Sequence, residues 1–319
     1  MMQFSENEIA FFKQLLLDFD VRIDGRNKMD IRKYTIEKNN INNCFSSIKL
    51  TYNNSKNDII FAIKGELIKE KENEEIEDNK ENNLKIELNI SSMSMNSKGQ
   101  NAEEYKQIKN KMESLFNKLM ISKINTDCLI INQKSPKLFW KLYLDIFVFD
   151  DLRMSLFQLL SIGIKECLLN VKVPKMVAFQ NDIDEKFEYD LMQNYKDLTM
   201  EESEEKINLE IPNIFVFSIF NNNLYLDPCD EELIITQSNL YISEYDKKIL
   251  NIESIGAFLG SFKLNIFTCP LLYPHAKRVP SSLNAVVKHS PYGGFPSIIF
   301  ISSLLYLNVG YNRCHNDNL

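Results

Sequence analysis

Apolar residues near the start of the chain recur at the spacing of one helical face, at Ile9, Phe12, Leu15 and Leu16. The segment just before them has the pattern of a capping box, in which Ser5 and Glu8 satisfy each other's backbone amides. The pattern predicts a helix that begins after Ser5 and ends near Asp18, ahead of the turn signal Asp24-Gly25.

Short apolar runs separated by polar loops predict a set of strands after this helix, at residues 45–52, 59–63, 84–90, 128–132 and 138–149. Two helices are predicted among them. Residues 102–121 carry a single apolar stripe, whereas residues 152–169 are apolar nearly all round and are therefore expected to be buried on more than one side. The charged, low-complexity residues 69–83 are predicted to be a solvated insertion.

The second half of the chain is also rich in predicted strands. An acidic, polar stretch at residues 180–206 indicates a domain boundary, so the first domain is predicted to span residues 1–180 and the second residues 207–260. Strands are predicted at residues 214–220, 224–227 and 233–242, and a helix is predicted to begin around Ile252. This order of elements favours an α+β fold with helices packed on a sheet face.

The last 59 residues, 261–319, differ from the rest of the chain. They hold all three histidines, five of the nine prolines and a net charge of +4 from Lys263, Lys277, Arg278, Lys288, Arg313 and Asp317. Two interpretations stay open, a basic accessory tail or a segment foreign to the native fold. The second is favoured because little of the segment has helical or strand periodicity.

The composition and the net charge restrict the kinds of function that the chain is expected to have. Apolar residues make up 44% and charged residues 25% of the 319 residues, which is typical of a globular protein. The net charge is −7, whereas a protein that binds nucleic acid by itself is usually basic. Any RNA contact is therefore expected to use a surface shared with more basic partners.

The cysteines, the N-terminal residues and the apolar stretches predict the compartment of the protein. The six cysteines form no CxxC pair, which argues against a zinc ribbon or a redox pair. The N-terminal residues lack a basic region followed by an apolar run, so a reducing compartment is expected. No stretch reaches the roughly 18 apolar residues of a spanning helix, and no membrane association is predicted.

The segment Val21-Arg22-Ile23-Asp24-Gly25-Arg26 resembles the RxDGR opening of the RNase PH family, although an ordinary Asp-Gly turn between arginines is the simpler alternative. Further features follow in the family's order. Residues 43–67 resemble its first hairpin, Trp140 to Ile146 its W-x-x-x-x-D-V strand with Asp145, and residues 156–174 its buried helix. Residues 226–232 resemble its D-P-T-x-x-E motif through Asp227 and Glu232.

The resemblance covers about residues 5–260 and implies two RNase PH-type halves, the first with the ribosomal protein S5 domain 2-like fold. It also implies a ring of six related subunits of the RNA exosome, capped by RNA-binding proteins. The leading helix, Trp140 and Asp227-Pro228 favour the ring type known as ribosomal-RNA-processing protein forty-two. The forty-three and forty-five types and the exact ring position stay open. Residence in nucleus, nucleolus and cytoplasm is expected from the complex alone.

Active members of the family cleave RNA with inorganic phosphate, which they hold in a turn rich in glycine and serine. Here that turn reads Asp150-Asp151-Leu152-Arg153-Met154-Ser155, without glycine and with two acids where an anion would bind. The second catalytic aspartate of active relatives is also missing, because no acid follows Glu232 until Glu244. The remaining acids read most simply as a polar turn after a strand. We therefore predict no catalytic residue, no metal and no cofactor.

Candidate RNA contacts are few. Lys134 and Lys137 precede the Trp140 strand and Arg153 follows it, but each is also readily explained as a solvated surface charge. Trp140 could stack on RNA, although its apolar neighbours favour a core or interface role.

The leading hypothesis is a non-catalytic exosome ring subunit, with RNase PH-like ring subunits, cap proteins and channel-bound RNA as partners. An active phosphate-dependent 3′-to-5′ exoribonuclease is the alternative. A small-molecule kinase on the same fold is disfavoured, because no glycine-rich phosphate loop is visible.

Overall fold

The computed structural model describes residues 4–19, 21–52, 57–69, 86–92, 101–132, 138–180, 187–191, 204–221 and 223–256, and the backbone of two short strands near the C-terminus. The chain divides into two compact units. We call residues 1–32 together with 214–319 the terminal unit, and residues 33–213 the central unit.

Helices and strands alternate irregularly from the N-terminus to the C-terminus. They are α1 (Glu6–Asp18), β1 (Tyr34–Lys38), β2 (Ser46–Tyr52), β3 (Asn57–Lys69), β4 (Ile86–Ser92), α2 (Asn101–Leu119), β5 (Ile130–Asn132), β6 (Leu138–Val148), α3 (Phe157–Leu169), β7 (Lys172–Pro174), β8 (Met176–Gln180), β9 (Phe187–Leu191), β10 (Glu204–Lys206), β11 (Asn213–Phe220), β12 (Asn223–Leu226), α4 (Asp230–Ile235), β13 (Ser238–Tyr245), β14 (Lys248–Gly256), β15 (Val286–Val287) and β16 (Ile298–Ile299).

The terminal unit is built on a four-stranded sheet in the order β12-β11-β13-β14. Helix α1 begins with the capping box expected of Ser5 and Glu8, and its inner face packs on this unit. The apolar cluster beneath the helix consists of Leu16, Phe220, Tyr225 and Ile235, with Ile9 and Phe12 at its edge. A second cluster contains Phe215, Phe217, Leu226, Leu240 and Ile242, against which Met29 and Ile31 pack.

The central unit is built on a sheet in the order β1-β2-β3-β6-β4, with β5 paired to β6. All these pairs are antiparallel except β4 with β6. Helices α2 and α3 pack on the sheet and touch each other through the stacked rings of Phe116 and Phe157, whose centroids lie 4.0 Å apart. Helix α3 approaches β3 closely because Gly163 faces the ring of Phe61.

Most elements lie where the sequence pattern predicts them, but two predictions in the second half are wrong. Residues 233–235 belong to helix α4 rather than to a strand, because the acids at the start of α4 stabilise a helix N-terminus and Glu232 caps it. The helix predicted to begin around Ile252 is strand β14, which pairs with β13 along its length. Residues 128–129 form a 3₁₀ turn ahead of β5, not part of the strand.

Helix α1 belongs to the same compact unit as residues 214–256, whereas the sequence pattern predicts it as part of the first domain. Of the charged insertion 69–83, all but residue 69 lies outside the described residues. The tail 261–319 also lies outside them, apart from the antiparallel pair β15–β16. Within the part of the chain that the structure describes, no helix is long and apolar enough to cross a membrane.

Candidate functional site

The terminal unit contains a cluster of arginines and carboxylates centred on Arg22, whose side chain is only 1% exposed. Its guanidinium holds Glu232 through two parallel hydrogen bonds, Nε to Oε1 at 2.8 Å and Nη2 to Oε2 at 2.7 Å. The remaining donors reach backbone carbonyls, including those of Leu226 at 2.9 Å and Asp227 at 3.0 Å. The buried cation is therefore paired and hydrogen-bonded on every side.

Burial by itself lowers the pKa of Arg22, but the hydrogen bonds and charge of Glu232 outweigh it and raise the pKa above the ordinary value. Glu232 is fully buried and has a second role. Its Oε2 accepts a hydrogen bond of 3.0 Å from the backbone amide of Cys229, at the start of α4. One carboxylate thus caps a helix and binds an arginine that lies 210 residues earlier in the chain.

Asp227 is the second buried carboxylate of the cluster. Its Oδ2 accepts hydrogen bonds from Arg26 Nη1 at 3.0 Å and from Arg32 through the backbone amide at 2.8 Å. The residue has a φ of 52°, in the left-handed region that side chains other than glycine seldom adopt. Its amide donates to Val216 O at 2.9 Å, so the conformation is held from both sides.

The turn that carries the arginines is closed by Asp24 and Gly25. Gly25 has a φ of 75°, which explains why glycine follows Asp24 in this turn. Burial raises the pKa of Asp24, but the charge of Arg26 and its hydrogen bonds, including one of 2.6 Å, bring the pKa below its usual range. Within the cluster, Arg22, Arg26 and Arg32 thus pair with the carboxylates of Glu232, Asp24 and Asp227.

The lowered pKa of Asp24 predicts an acid dependence. A carboxyl whose pKa is lower in the folded chain contributes stability above its unfolded pKa of about 3.9, and this contribution is lost as the pH falls through the folded pKa. Asp24→Asn is expected to flatten the decline of the urea midpoint between roughly pH 5 and pH 2. Parallel declines for the variant and the parent chain would contradict this assignment.

Residues 150–155 form a turn in the central unit, which the sequence resemblance suggests as the counterpart of a phosphate-binding turn. The amide of Asp151 donates to Asp150 Oδ1 at 2.8 Å, and Asn57 donates to the other oxygen of Asp150 at 3.4 Å. Arg153 Nη2 lies 3.4 Å from Asp151 Oδ2 and 3.8 Å from Asp150 Oδ1. The turn is therefore lined by carboxylates that bind its own arginine.

The candidate residues fall into separate groups. Arg22, Asp24, Gly25, Arg26, Asp227 and Glu232 are brought together in the terminal unit. Trp140 is buried in the central unit, where its ring meets Phe45 edge to face at 5.3 Å. Asp145 is partly exposed on the same strand and binds Lys64 at 3.4 Å. Lys134 and Lys137 lie outside the described residues.

Asp227 and Glu232, which the sequence suggests as part of a polar turn after a strand, are both fully buried and paired with arginines. Arg32, which binds Asp227 together with Arg26, was not predicted from the sequence. Only its closeness to Arg22 and Arg26 along the chain could have suggested it. No group of three or more potential metal ligands occurs among the described residues.

Residues 30–174 match the model of the RNase PH 3′ exoribonuclease family, domain 1. A chain of the Archaeoglobus fulgidus exosome with RNA bound to the active site superposes with a TM-score of 0.55 and 17% identity, over 82% of this chain and 91% of that one. The chain has the RNase PH fold. A chain of an archaeal exosome core gives a TM-score of 0.52 and 17% identity, over 82% of this chain and 89% of that one.

No curated protein sequence matches the chain significantly. The prediction of an α+β RNase PH fold is confirmed by the family match and by these structures. A fold alone does not determine a function, which depends on the residues of the site.

Proposed function

We propose that this chain is a non-catalytic ring subunit of the RNA exosome, which scaffolds 3′-to-5′ RNA processing and degradation. The observation that carries the proposal is the turn at residues 150–155. Asp150 and Asp151 line it, and Arg153, its only cation, lies within 3.4–3.8 Å of these carboxylates.

A phosphate ion would have to compete with both carboxylates for Arg153. Two like charges about 4 Å apart repel by about 4 kcal/mol at the effective dielectric constant of a protein surface. Phosphate sites elsewhere offer backbone amides at a helix N-terminus. Here a 3₁₀ turn, Met154–Leu156, precedes α3, and the amide of Asp151 already donates to Asp150. The turn is thus poorly suited to bind the phosphate that phosphorolysis consumes.

The fold supports the assignment to a ring. The two archaeal chains come from an exosome and from an exosome core, and this chain spans about nine-tenths of each. By this likeness we propose RNase PH-like ring subunits as direct partners, and cap proteins and channel-bound RNA as members of the assembled complex. The ring type resembling ribosomal-RNA-processing protein forty-two, and residence in nucleus, nucleolus and cytoplasm, belong to the same proposal.

The proposal predicts that the purified chain has no phosphate-dependent activity. A single-stranded RNA with a 5′ label should stay intact with and without inorganic phosphate, while an active RNase PH-type enzyme in parallel shortens it and releases nucleoside diphosphates. The double variant Asp150→Gly and Asp151→Gly should also lack activity, because the second catalytic aspartate of active relatives is missing as well.

The active-enzyme alternative makes the opposite prediction. If the purified chain releases nucleoside diphosphates only when phosphate is present, and Arg153→Gln abolishes the release, then Arg153 binds phosphate despite its carboxylate neighbours. That pair of results would overturn the non-catalytic assignment.

A further inference from the structure

Helix α1 packs on residues from the second half of the chain within the terminal unit. The inner face of α1, with Ile9, Phe12 and Leu16, meets Phe220, Tyr225 and Ile235. Helix α1 has 13 residues, and isolated helices of this length are marginal in water. Its folded state therefore depends on a surface that is synthesised about 200 residues later.

Residues 22–32, which follow α1, bind to the same surface through ion pairs and hydrogen bonds. Arg22 binds Glu232 with both nitrogens of one edge, and Arg26 and Arg32 bind Asp227. A backbone hydrogen bond of 2.7 Å runs from the amide of Leu226 to Lys28 O. Apolar packing by α1 and charge pairing by residues 22–32 thus act on one continuous stretch, residues 220–235.

We propose that residues 4–32 form a strap that binds non-covalently to a preformed site on β11, β12 and α4, and that this site recognises an amphipathic helix followed by a buried arginine. The covalent link to β1 is then not needed to hold the strap in place.

The contacts predict how much individual strap residues contribute to binding. Removing one partner of a buried ion pair leaves the other charge buried and unpaired, which is among the most damaging single changes. Loss of Arg22 is therefore expected to weaken strap binding by about a hundredfold or more. Lys13 lies on the exposed side of α1, so its loss is expected to change binding by less than about twofold.

The test uses the full-length chain with a specific protease site inserted between Lys33 and Tyr34 and cut after folding. The strap should co-elute with the rest of the chain in size-exclusion chromatography. An excess of isotope-labelled synthetic peptide of residues 1–33 should then replace it, as followed by mass spectrometry. The same peptide with Arg22→Gln should compete about a hundredfold less well, and the Lys13→Gln peptide as well as the parent.

The substitutions are made only in the peptide, so a folding failure of the protein does not confuse the result. Separation of the strap from the cut parent chain, without rebinding of added peptide, would overturn the proposal. Equal competition by the Arg22→Gln and parent peptides would show that apolar packing alone recognises the strap, and would overturn the role given to the arginine. Either outcome is independent of whether the chain works in an exosome ring.

Discussion

Replacing Arg22 by methionine is expected to lower the free energy of unfolding by about 3–5 kcal/mol. The guanidinium is buried and binds Glu232 with two hydrogen bonds of 2.7 and 2.8 Å. Without it, the Glu232 carboxylate is left in the interior with the single amide of Cys229 as its partner. Urea denaturation of the full chain, followed by circular dichroism, measures the change.

Two controls separate a buried charge pair from an ordinary one. Lys64→Met removes an ion pair with Asp145 whose lysine is 63% exposed, so it is expected to cost less than about 1 kcal/mol. Adding Glu232→Gln to Arg22→Met removes the unpaired charge and should restore part of the loss. A cost for Arg22→Met no larger than that for Lys64→Met would show that the cluster contributes little to stability.

Replacing Gly163 by alanine is expected to destabilise the chain by about 1–3 kcal/mol, although glycine to alanine in a helix interior ordinarily stabilises by about 1 kcal/mol. An alanine Cβ at this position would overlap with Cζ of the Phe61 ring. Phe61 is fully buried in β3, so its ring can move away only by displacing other core side chains. The midpoint of thermal or urea unfolding measures the sign of the change.

A second substitution should relieve the predicted clash between the alanine and the Phe61 ring. Phe61→Leu creates space opposite residue 163, so Gly163→Ala should cost clearly less in the Phe61→Leu chain than in the parent chain. A stabilising effect of Gly163→Ala in the parent chain would mean that α3 does not lie as close to β3 as the structure has it.

Sequence patterns predict correctly those elements that are determined by neighbouring residues. The capping box of Ser5 and Glu8 and the apolar spacing after it predict α1 correctly. Ile252 and Ile255 have the spacing of a helical face, and this misleads because the pairing of β14 with β13 decides their conformation. The first turn of α4 carries three acids, a helix signal that the strand prediction for residues 233–242 overlooked.

The two sites differ in how far the sequence reveals them. Asp150, Asp151 and Arg153 are neighbours in the chain, so the carboxylate-lined turn could be predicted from residue types alone. The cluster around Arg22 and Glu232 joins residues 210 positions apart. The family motifs singled out both residues, but no periodicity or charge pattern indicates that they meet or that their side chains are buried.

Affinity purification of the tagged chain from a native extract tests the central claim most directly. The proposal predicts recovery of RNase PH-like ring subunits and of cap proteins in similar amounts, identified by mass spectrometry, and their retention through a high-salt wash, as expected of a large, apolar interface. Recovery of the chain by itself, together with phosphate-dependent shortening of RNA by that preparation, would contradict the assignment as a non-catalytic ring subunit.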